Sequence, residues 1–296
     1  MILEIICADI CFRFQGFSEN LPLAIWNWKL DPWKISAFAQ MPEDVPVVDV
    51  VCKQVFAVPQ ELMTLLCAEK DGFFEHRVLQ MENGGTLWDF VRVAEKRCYL
   101  RYIVNPGWDT VTLLEDITNT NRMAAFEYLA HMLPGILLKQ NMLTLHGVLM
   151  EYQGYGIVIS AASGTGKTTH ARLWRDMHHA LIINGDRAVI GVKDGVWTGY
   201  GLPWSGTSGE QINRSVPLKA LVILERGEQN EAYRITGLEG FGALLPHLEY
   251  PAWNRDMVNL AMSGVDHFLQ EVPVVRFCCR PDFESVSILK ETLENL

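Results

Sequence analysis

The stretch ISAASGTGKTTHARLW, residues Ile159 to Trp174, holds the residue types that chemistry on a phosphate needs. Gly164-Thr165-Gly166-Lys167-Thr168 completes the pattern G-x-x-x-x-G-K-[ST], with Ala161 at the position where that pattern opens on glycine. A strand that runs through a glycine-rich turn straight into a helix gathers unpaired backbone N–H groups at the positive end of the helix, where phosphate oxygens sit well. Ser163, Gly164, Thr165, Gly166, Lys167, Thr168 and Thr169 would form the cradle. The Lys167 ammonium would reach the terminal phosphates and the Thr168 hydroxyl would coordinate magnesium. Alanine is the smallest residue that can replace the first glycine, provided its φ stays negative.

Phosphoryl transfer also asks for a carboxylate that takes the acceptor's proton or holds the metal. In ALIINGDRAVI an apolar run ends at Asn184-Gly185-Asp186, which leaves Asp186 at a strand end beside a glycine. Asp186 is the first candidate, as catalytic group and as metal ligand alongside Thr168; an aspartate stabilising a β-turn is the plainer alternative. Glu225, closing VPLKALVILE, is the runner-up, with a solvent-facing carboxylate as the simpler reading. His146, inside LTLHGVLMEY, comes beside the loop if strands 143–152 and 155–160 form a hairpin, and could tune Asp186 or contact the acceptor. The Gln153-Gly154 join is too short for a helical crossover, so these strands pair antiparallel, and the loop is not fed from the usual parallel sheet. GYGLPWSGTSGEQINRS, around Pro203-Trp204, reads as a mobile loop that closes over a substrate. Arg214 at its end could bind phosphate or an acceptor carboxylate, or form a surface salt bridge.

These residues belong to the second of two sections. The first, residues 1–118, reads as a small antiparallel sheet, from Ile2–Phe14, Val47–Cys52, Phe74–Met81, Thr86–Ala94, Arg97–Val104 and Thr110–Leu114, with one helix around Gln60 to Glu69. Its alternation is clearest in RCYLRYIV, where Cys98, Leu100, Tyr102 and Val104 share a face. From Asn121 the apolar period becomes helical, with a bend or end expected near Pro134. Residues 119–296 then read as an α/β domain. Strands ALIIN, RAVIGVK, GVWTGYG and VPLKALVILE precede helices in Gly240–His247 and Asn254–Glu271, strand VPVVRFCC, and a last helix that Asp282 would cap.

Bulk composition narrows the partners. With 296 residues, 49% of them hydrophobic, the chain can bury a real core. Its formal net charge is −10, without clustered Lys and Arg, which argues against a nucleic-acid partner. Apolar runs fall well short of the roughly 20 residues of a membrane span, and no basic region precedes the N-terminal apolar run, so the expected setting is cytoplasmic, away from membranes. Seven scattered cysteines without a C-x-x-C pair read as buried, reduced thiols.

The segments LHGVLMEYQGYGIVISAASGTGKTTHARLW and INGDRAVI together resemble the kinase domain of HPr kinase/phosphorylase, whose relatives include the ATP-type phosphoenolpyruvate carboxykinases. GLPWSGTSGEQINRSVPLKALVILERGEQN is similar to a branch of HPr-kinase-related serine kinases, some of them akin to kinases found beside lasso-peptide and other peptide-modification systems. The resemblance spans roughly residues 120 to 290. It implies an α/β (α+β) domain of the phosphoenolpyruvate carboxykinase-like type, with a mixed or antiparallel sheet and a P-loop, behind a small β-rich N-terminal domain. It further implies ATP and Mg2+ at Lys167 and Thr168, Asp186 as catalytic carboxylate and His146 as a site residue. Two departures stand out: Gly185 replaces the first of two adjacent aspartates, and the loop ends K-T-T where the HPr enzyme has K-S-E. The implied activity is transfer of the γ-phosphate of ATP to a hydroxyl, a serine of a peptide or small protein before all others. A nucleotide-binding accessory protein and a kinase of free serine or a sugar stay open beside it, as does a homo-oligomer.

Overall fold

The structure, a computed structural model, describes residues 2–17, 29–35, 44–53, 63–114 and 122–296. The chain forms two compact units, Met1–Lys139 and Gln140–Leu296. The boundary expected at 118/119 lies outside the described residues, and the two helices that follow it group with the first unit.

The first unit is an eight-stranded sheet in the order β1-β2-β3-β8-β7-β6-β5-β4. Its strands are β1 (Ile2–Cys7), β2 (Ile10–Gln15), β3 (Val47–Lys53), β4 (Thr64–Asp71), β5 (Phe74–Gln80), β6 (Thr86–Arg92), β7 (Arg97–Val104) and β8 (Thr110–Leu114). Two of its pairings, β2 with β3 and β3 with β8, are parallel, so the sheet is mixed where an antiparallel one was expected. The segment expected as a helix from Gln60 to Glu69 is strand from Thr64 onward, while residues 60–62 lie outside the described residues. Pairing with β5, which runs down to Asp71↔Phe74 at the Gly72-Phe73 turn with a bulge between Leu65 and Cys67, decides for strand. The helical period near Pro134 is interrupted as the proline requires. Helix α1 (Arg122–Leu129) stops, and α2 (Leu133–Lys139) restarts with Pro134 in its first turn, where the missing N–H has no partner to lose. Asn121 lies outside the described residues.

The second unit is built on nine strands: β9 (Leu143–Tyr152), β10 (Tyr155–Ser160), β11 (Leu181–Asn184), β12 (Arg187–Lys193), β13 (Val196–Tyr200), β14 (Ser215–Arg226), β15 (Glu231–Ile235), β16 (Leu248–Glu249) and β17 (Val274–Cys279). Helices α3 (Lys167–His178), α4 (Gly237–Leu244), α5 (Arg255–Glu271) and α6 (Phe283–Glu294) pack on them. β10 pairs antiparallel with β9, as its short turn dictates, and parallel with β14 on its other edge. The strand feeding the glycine loop therefore has one antiparallel and one parallel neighbour, a mixed setting and not an all-parallel one. The pairings β9–β12, β12–β13, β13–β14, β14–β10 and β10–β9 close into a circuit.

Alternate residues of the central strands share one core, because successive strand side chains point to opposite faces. Val148 and Met150 of β9, Ile157 and Ile159 of β10, Val222 and Leu224 of β14, and Val275 and Phe277 of β17 join Trp174 of α3 and Leu289 of α6 in it. Each such aliphatic or aromatic side chain contributes about 1.5–3 kcal/mol when fully buried. This layer fixes α3 on the sheet. Asp282 caps α6 as its sequence suggests, accepting from the Ser285 N–H at 2.9 Å.

His170 of α3 lies in the same core, 1% exposed. Its ring stands edge-on to Phe277, Nε2 is 3.3 Å from Ser285 Oγ, and Nδ1 has no hydrogen-bond partner among the described residues. Burial pushes its pKa from 6.5 down to about 4, against the pull of Asp282. The folded chain thus keeps the imidazole neutral, while unfolding between those pH values takes up a proton. This contribution to stability is whole above pH 6.5 and falls as pH drops toward 4, by on the order of 3 kcal/mol in all. Urea unfolding followed from about pH 7 to about 4.5 should show a decline that His170→Gln flattens; equal slopes for the two chains would clear this imidazole of the effect.

Candidate functional site

β10 ends at Ser160, and the chain enters α3 at Lys167 through residues 161–166. Ala161 is buried in the core and is not among the positive-φ residues, so an alanine fits there without strain. Gly164 and Gly166 do take positive φ, +74° and +123°, which a side chain would resist. Gly166 caps α3 without a side-chain hydrogen bond to the first turn. A Cβ on either glycine would meet nothing within 4 Å, so the space where their side chains would stand is open. Ser163 and Thr169 are exposed, and Thr165, Gly166 and Thr168 are half-buried. The backbone and the Thr168 hydroxyl have room for an anion and its counter-cation.

Lys167 is 8% exposed, and its ammonium donates to the carbonyls of Ala161 at 2.9 Å and Ala162 at 3.4 Å. From the end of β14, Arg226 donates to the carbonyls of Gly164 and Thr165. Two cations thus hold four of the loop's carbonyls, and the Thr165 N–H turns back onto the Ala162 carbonyl at 3.2 Å.

Asp186 arrives on the turn between β11 and β12, and the buried Asn184 builds that turn. Its Oδ1 accepts from the N–H groups of Asp186 and Arg187 at 3.1 and 2.9 Å, while its Nδ2 donates to the carbonyls of Leu202 and Trp204 at 3.2 and 3.1 Å. That uses the full capacity of the amide. The Gly147 N–H donates to the Asp186 carbonyl at 3.0 Å, and Ser160 Oγ donates to the His146 carbonyl at 2.7 Å. His146 Nδ1 lies 3.9 Å from Asp186 Oδ1, because β12 pairs with β9 at Arg187↔His146. The Asp186 carboxylate also packs on the Cα of Gly206, where any side chain would overlap it.

Burial pushes the Lys167 ammonium below the usual lysine range, and the Asp186 carboxylate counters part of that push. The carboxylate is therefore felt inside the loop. His247, from the turn after α4, is lowered by burial and by the charges of Lys167 and His146, against a smaller opposing pull from Glu225. An open cleft of about 770 Å³ runs from Ala162 and Ser163 past Glu225 to Gly242 and His247, and a hollow of about 420 Å³ lies on the other flank, between Thr169 and Pro281.

One expectation changes, and two open alternatives are decided. Residues 201–205 do not form a mobile loop: Leu202, Trp204 and Ser205 are buried, and Gly201 N–H donates to Arg214 at 2.9 Å. The polar tip beyond them is also tied, by Gly185 N–H to the Glu210 carbonyl and by the Glu210 carboxylate to Arg175 at 3.1 Å. Arg214 pairs with Glu151, the salt bridge of the alternatives considered. Glu225 pairs with Arg276 at 3.5 Å. Asn184, Arg226 and His247 were not singled out from sequence. Asn184 was visible as part of the NGD turn, whereas nothing local in the Leu-Pro-His turn marks His247.

The fold and the site define a mixed α/β protein that places a glycine-rich strand-to-helix loop beside a carboxylate and an imidazole. The chain belongs to the family described as SynChlorMet cassette protein ScmC, whose model matches residues 113–263, just over half of it. No curated protein matches it. Among solved structures it is similar to the HPr(Ser) kinase/phosphatase from Coxiella burnetii at 11% identity and a TM-score of 0.31, over 51% of this chain and 88% of that one, a likeness too low to carry an argument. No helix among the described residues is long and apolar enough to cross a membrane.

Asn184→Ala would strip partners from two N–H groups and two carbonyls at once, each worth about 1–3 kcal/mol where water cannot replace it. A loss of about 3 kcal/mol or more in urea unfolding is expected, and Asn184→Asp should do no better because its carboxylate would face two carbonyls. A loss below about 1 kcal/mol would show that the Asp186 turn stands without this amide.

Proposed function

We propose that this chain is an ATP-dependent phosphotransferase that moves the γ-phosphate to a hydroxyl, that of a serine in a peptide or small protein. The observation that carries the reading is the meeting, within one unit, of an uncapped helix N-terminus, its lysine, and a carboxylate whose charge reaches that lysine. The family description names a cassette protein, which supports an acceptor supplied by another product of the same cassette.

In this reading the N–H groups from Ser163 to Thr169 bind phosphate oxygens, and Lys167 turns from its loop carbonyls to the terminal phosphates. Thr168 and Asp186 hold magnesium. Among the described residues no three His, Cys, Asp or Glu side chains cluster as a metal cage. A magnesium ion carried in with a nucleotide needs only one or two protein ligands beside phosphate and water. Asp186 takes the acceptor's proton as the hydroxyl oxygen bonds to the γ-phosphorus and the bridging oxygen departs with ADP. His146, 3.9 Å away, orients that carboxylate.

Titration calorimetry with ATP and magnesium should show Lys167→Ala weakening binding by about tenfold or more, or roughly 1.4 kcal/mol. Asp186→Asn should lower phosphotransfer by about 10²–10⁴, far more than it alters affinity for ATP with magnesium. Unaltered ATP binding by Lys167→Ala would remove the loop from the reading, and full function in Asp186→Asn would make the chain a nucleotide-binding accessory protein instead.

A further inference from the structure

Resting on the phosphotransferase reading, we infer that His247 is a further residue of that site, and that its imidazole binds the terminal phosphate of the nucleotide. The ladders along β9 bring it there. β11 and β12 run end to end along one edge of β9, from Leu181↔Glu151 to Ile190↔Leu143, which leaves the other edge to β10 and β16. β10 quits that edge at Ser160↔Gly147, where the chain turns into the glycine loop, and β16 resumes it at Leu248↔Leu145. One more step of the β16 register sets His247 level with His146, in the gap that the departing loop opens. Across β9 the partner of His146 is Arg187, the residue after Asp186.

Two contacts fix the face on which the ring stands. Glu249 reaches over β9 and accepts from Arg187 Nε at 2.8 Å, which ties the His247–Glu249 segment to the carboxylate turn. His247, two residues earlier, shares that face by strand alternation, and it lines the open cleft together with Ala162, Ser163, Gly164 and Thr165 of the loop. It therefore stands beside both the glycine loop and His146, whose Nδ1 is 3.9 Å from Asp186 Oδ1. In this reading the acceptor's proton leaves to Asp186, so the transferred phosphate lies at this end of the loop. The hollow on the far flank, between Thr169 and Pro281, has none of these groups in its wall.

The charges around the ring select a phosphate over the neutral acceptor hydroxyl. Burial first, then the charges of Lys167 and His146, hold the His247 ring toward its neutral form, against the pull of Glu225. The other charges in the cleft are matched among themselves: Glu225 and Glu239 share Arg276 at 3.5 and 3.3 Å, and Arg226 donates to the carbonyls of Gly164 and Thr165. A hydroxyl would leave Lys167, His146 and His247 to repel one another whenever either ring took a proton. A phosphate among them removes that repulsion, and it accepts an N–H from the imidazole in either protonation state.

Titration calorimetry of the full chain with magnesium and either ATP or ADP tests this. Only ATP carries the phosphate that His247 would touch, so His247→Leu should weaken ATP by about tenfold and leave ADP within about twofold. His247→Gln keeps an N–H donor and should weaken ATP by only about threefold. Equal losses for the two nucleotides would mark a purely structural histidine, and unchanged ATP affinity in His247→Leu would take the ring out of the site; either result overturns the inference. Should the leucine chain fail to fold, the contrast between ATP and ADP in His247→Gln decides in the same way. ATP bound by the unchanged chain without that contrast sinks the inference alone, whereas no ATP bound sinks the phosphotransferase reading beneath it.

Discussion

Gly147 holds the site together through its backbone. Within β9 it lies opposite Ser160, the last residue before the glycine loop, and on its other side its N–H donates to the carbonyl of Asp186. One residue thus links the loop strand to the carboxylate turn. Two inter-strand spacings of about 4.8 Å put the backbones of Ser160 and Asp186 roughly 10 Å apart, a gap that a lysine from one side and a carboxylate from the other can close between them. A side chain at this position would press on the Ile159 carbonyl at 2.9 Å, directly under the loop's entrance. His146, its neighbour, gains its place from the same two pairings.

The parts of this arrangement written locally were legible in the sequence. A two-residue turn between strands of opposite alternation leaves no choice but an antiparallel hairpin, and that hairpin fixes the relation of His146 to the loop. The Asn-Gly-Asp turn announced itself by composition, and Asp282 by its place ahead of a helical period. What stayed hidden depends on chain segments far apart. Nothing in YGIVIS says that its free edge receives β14 in parallel, because both strands are simply apolar. The sequence of β4 has no clear alternation, and the ladder to β5 decides that it is strand. His247 enters the site because α4 ends in a Leu-Pro-His turn whose destination is set by the whole sheet.

The segment from Gly201 to Arg214 shows how composition misleads. Glycine and serine suggested motion, yet here they serve close packing: Gly206 lets the Asp186 carboxylate rest on its backbone, and Ser205 and Ser208 bond within the segment. Small residues permit either freedom or intimate contact, and the deciding factor is whether buried partners wait nearby. Here Asn184 waits with two N–H donors, which makes an ordered strap of a sequence that looks like a lid.

The same logic governs charge at the loop. Lys167 and Arg226 could each have been spent on a carboxylate; instead both bond to carbonyl oxygens of residues 161–165. A carbonyl satisfies a cation's hydrogen bonds without cancelling its charge, so the loop keeps two positive charges, and burial already disfavours the one on Lys167. Asp186 relieves that cost only in part, since it acts on Lys167 through space and not through a direct ion pair. A site that holds buried positive charge short of neutralisation is one that an anion would stabilise, and the glycine loop ahead of α3 is built in that way.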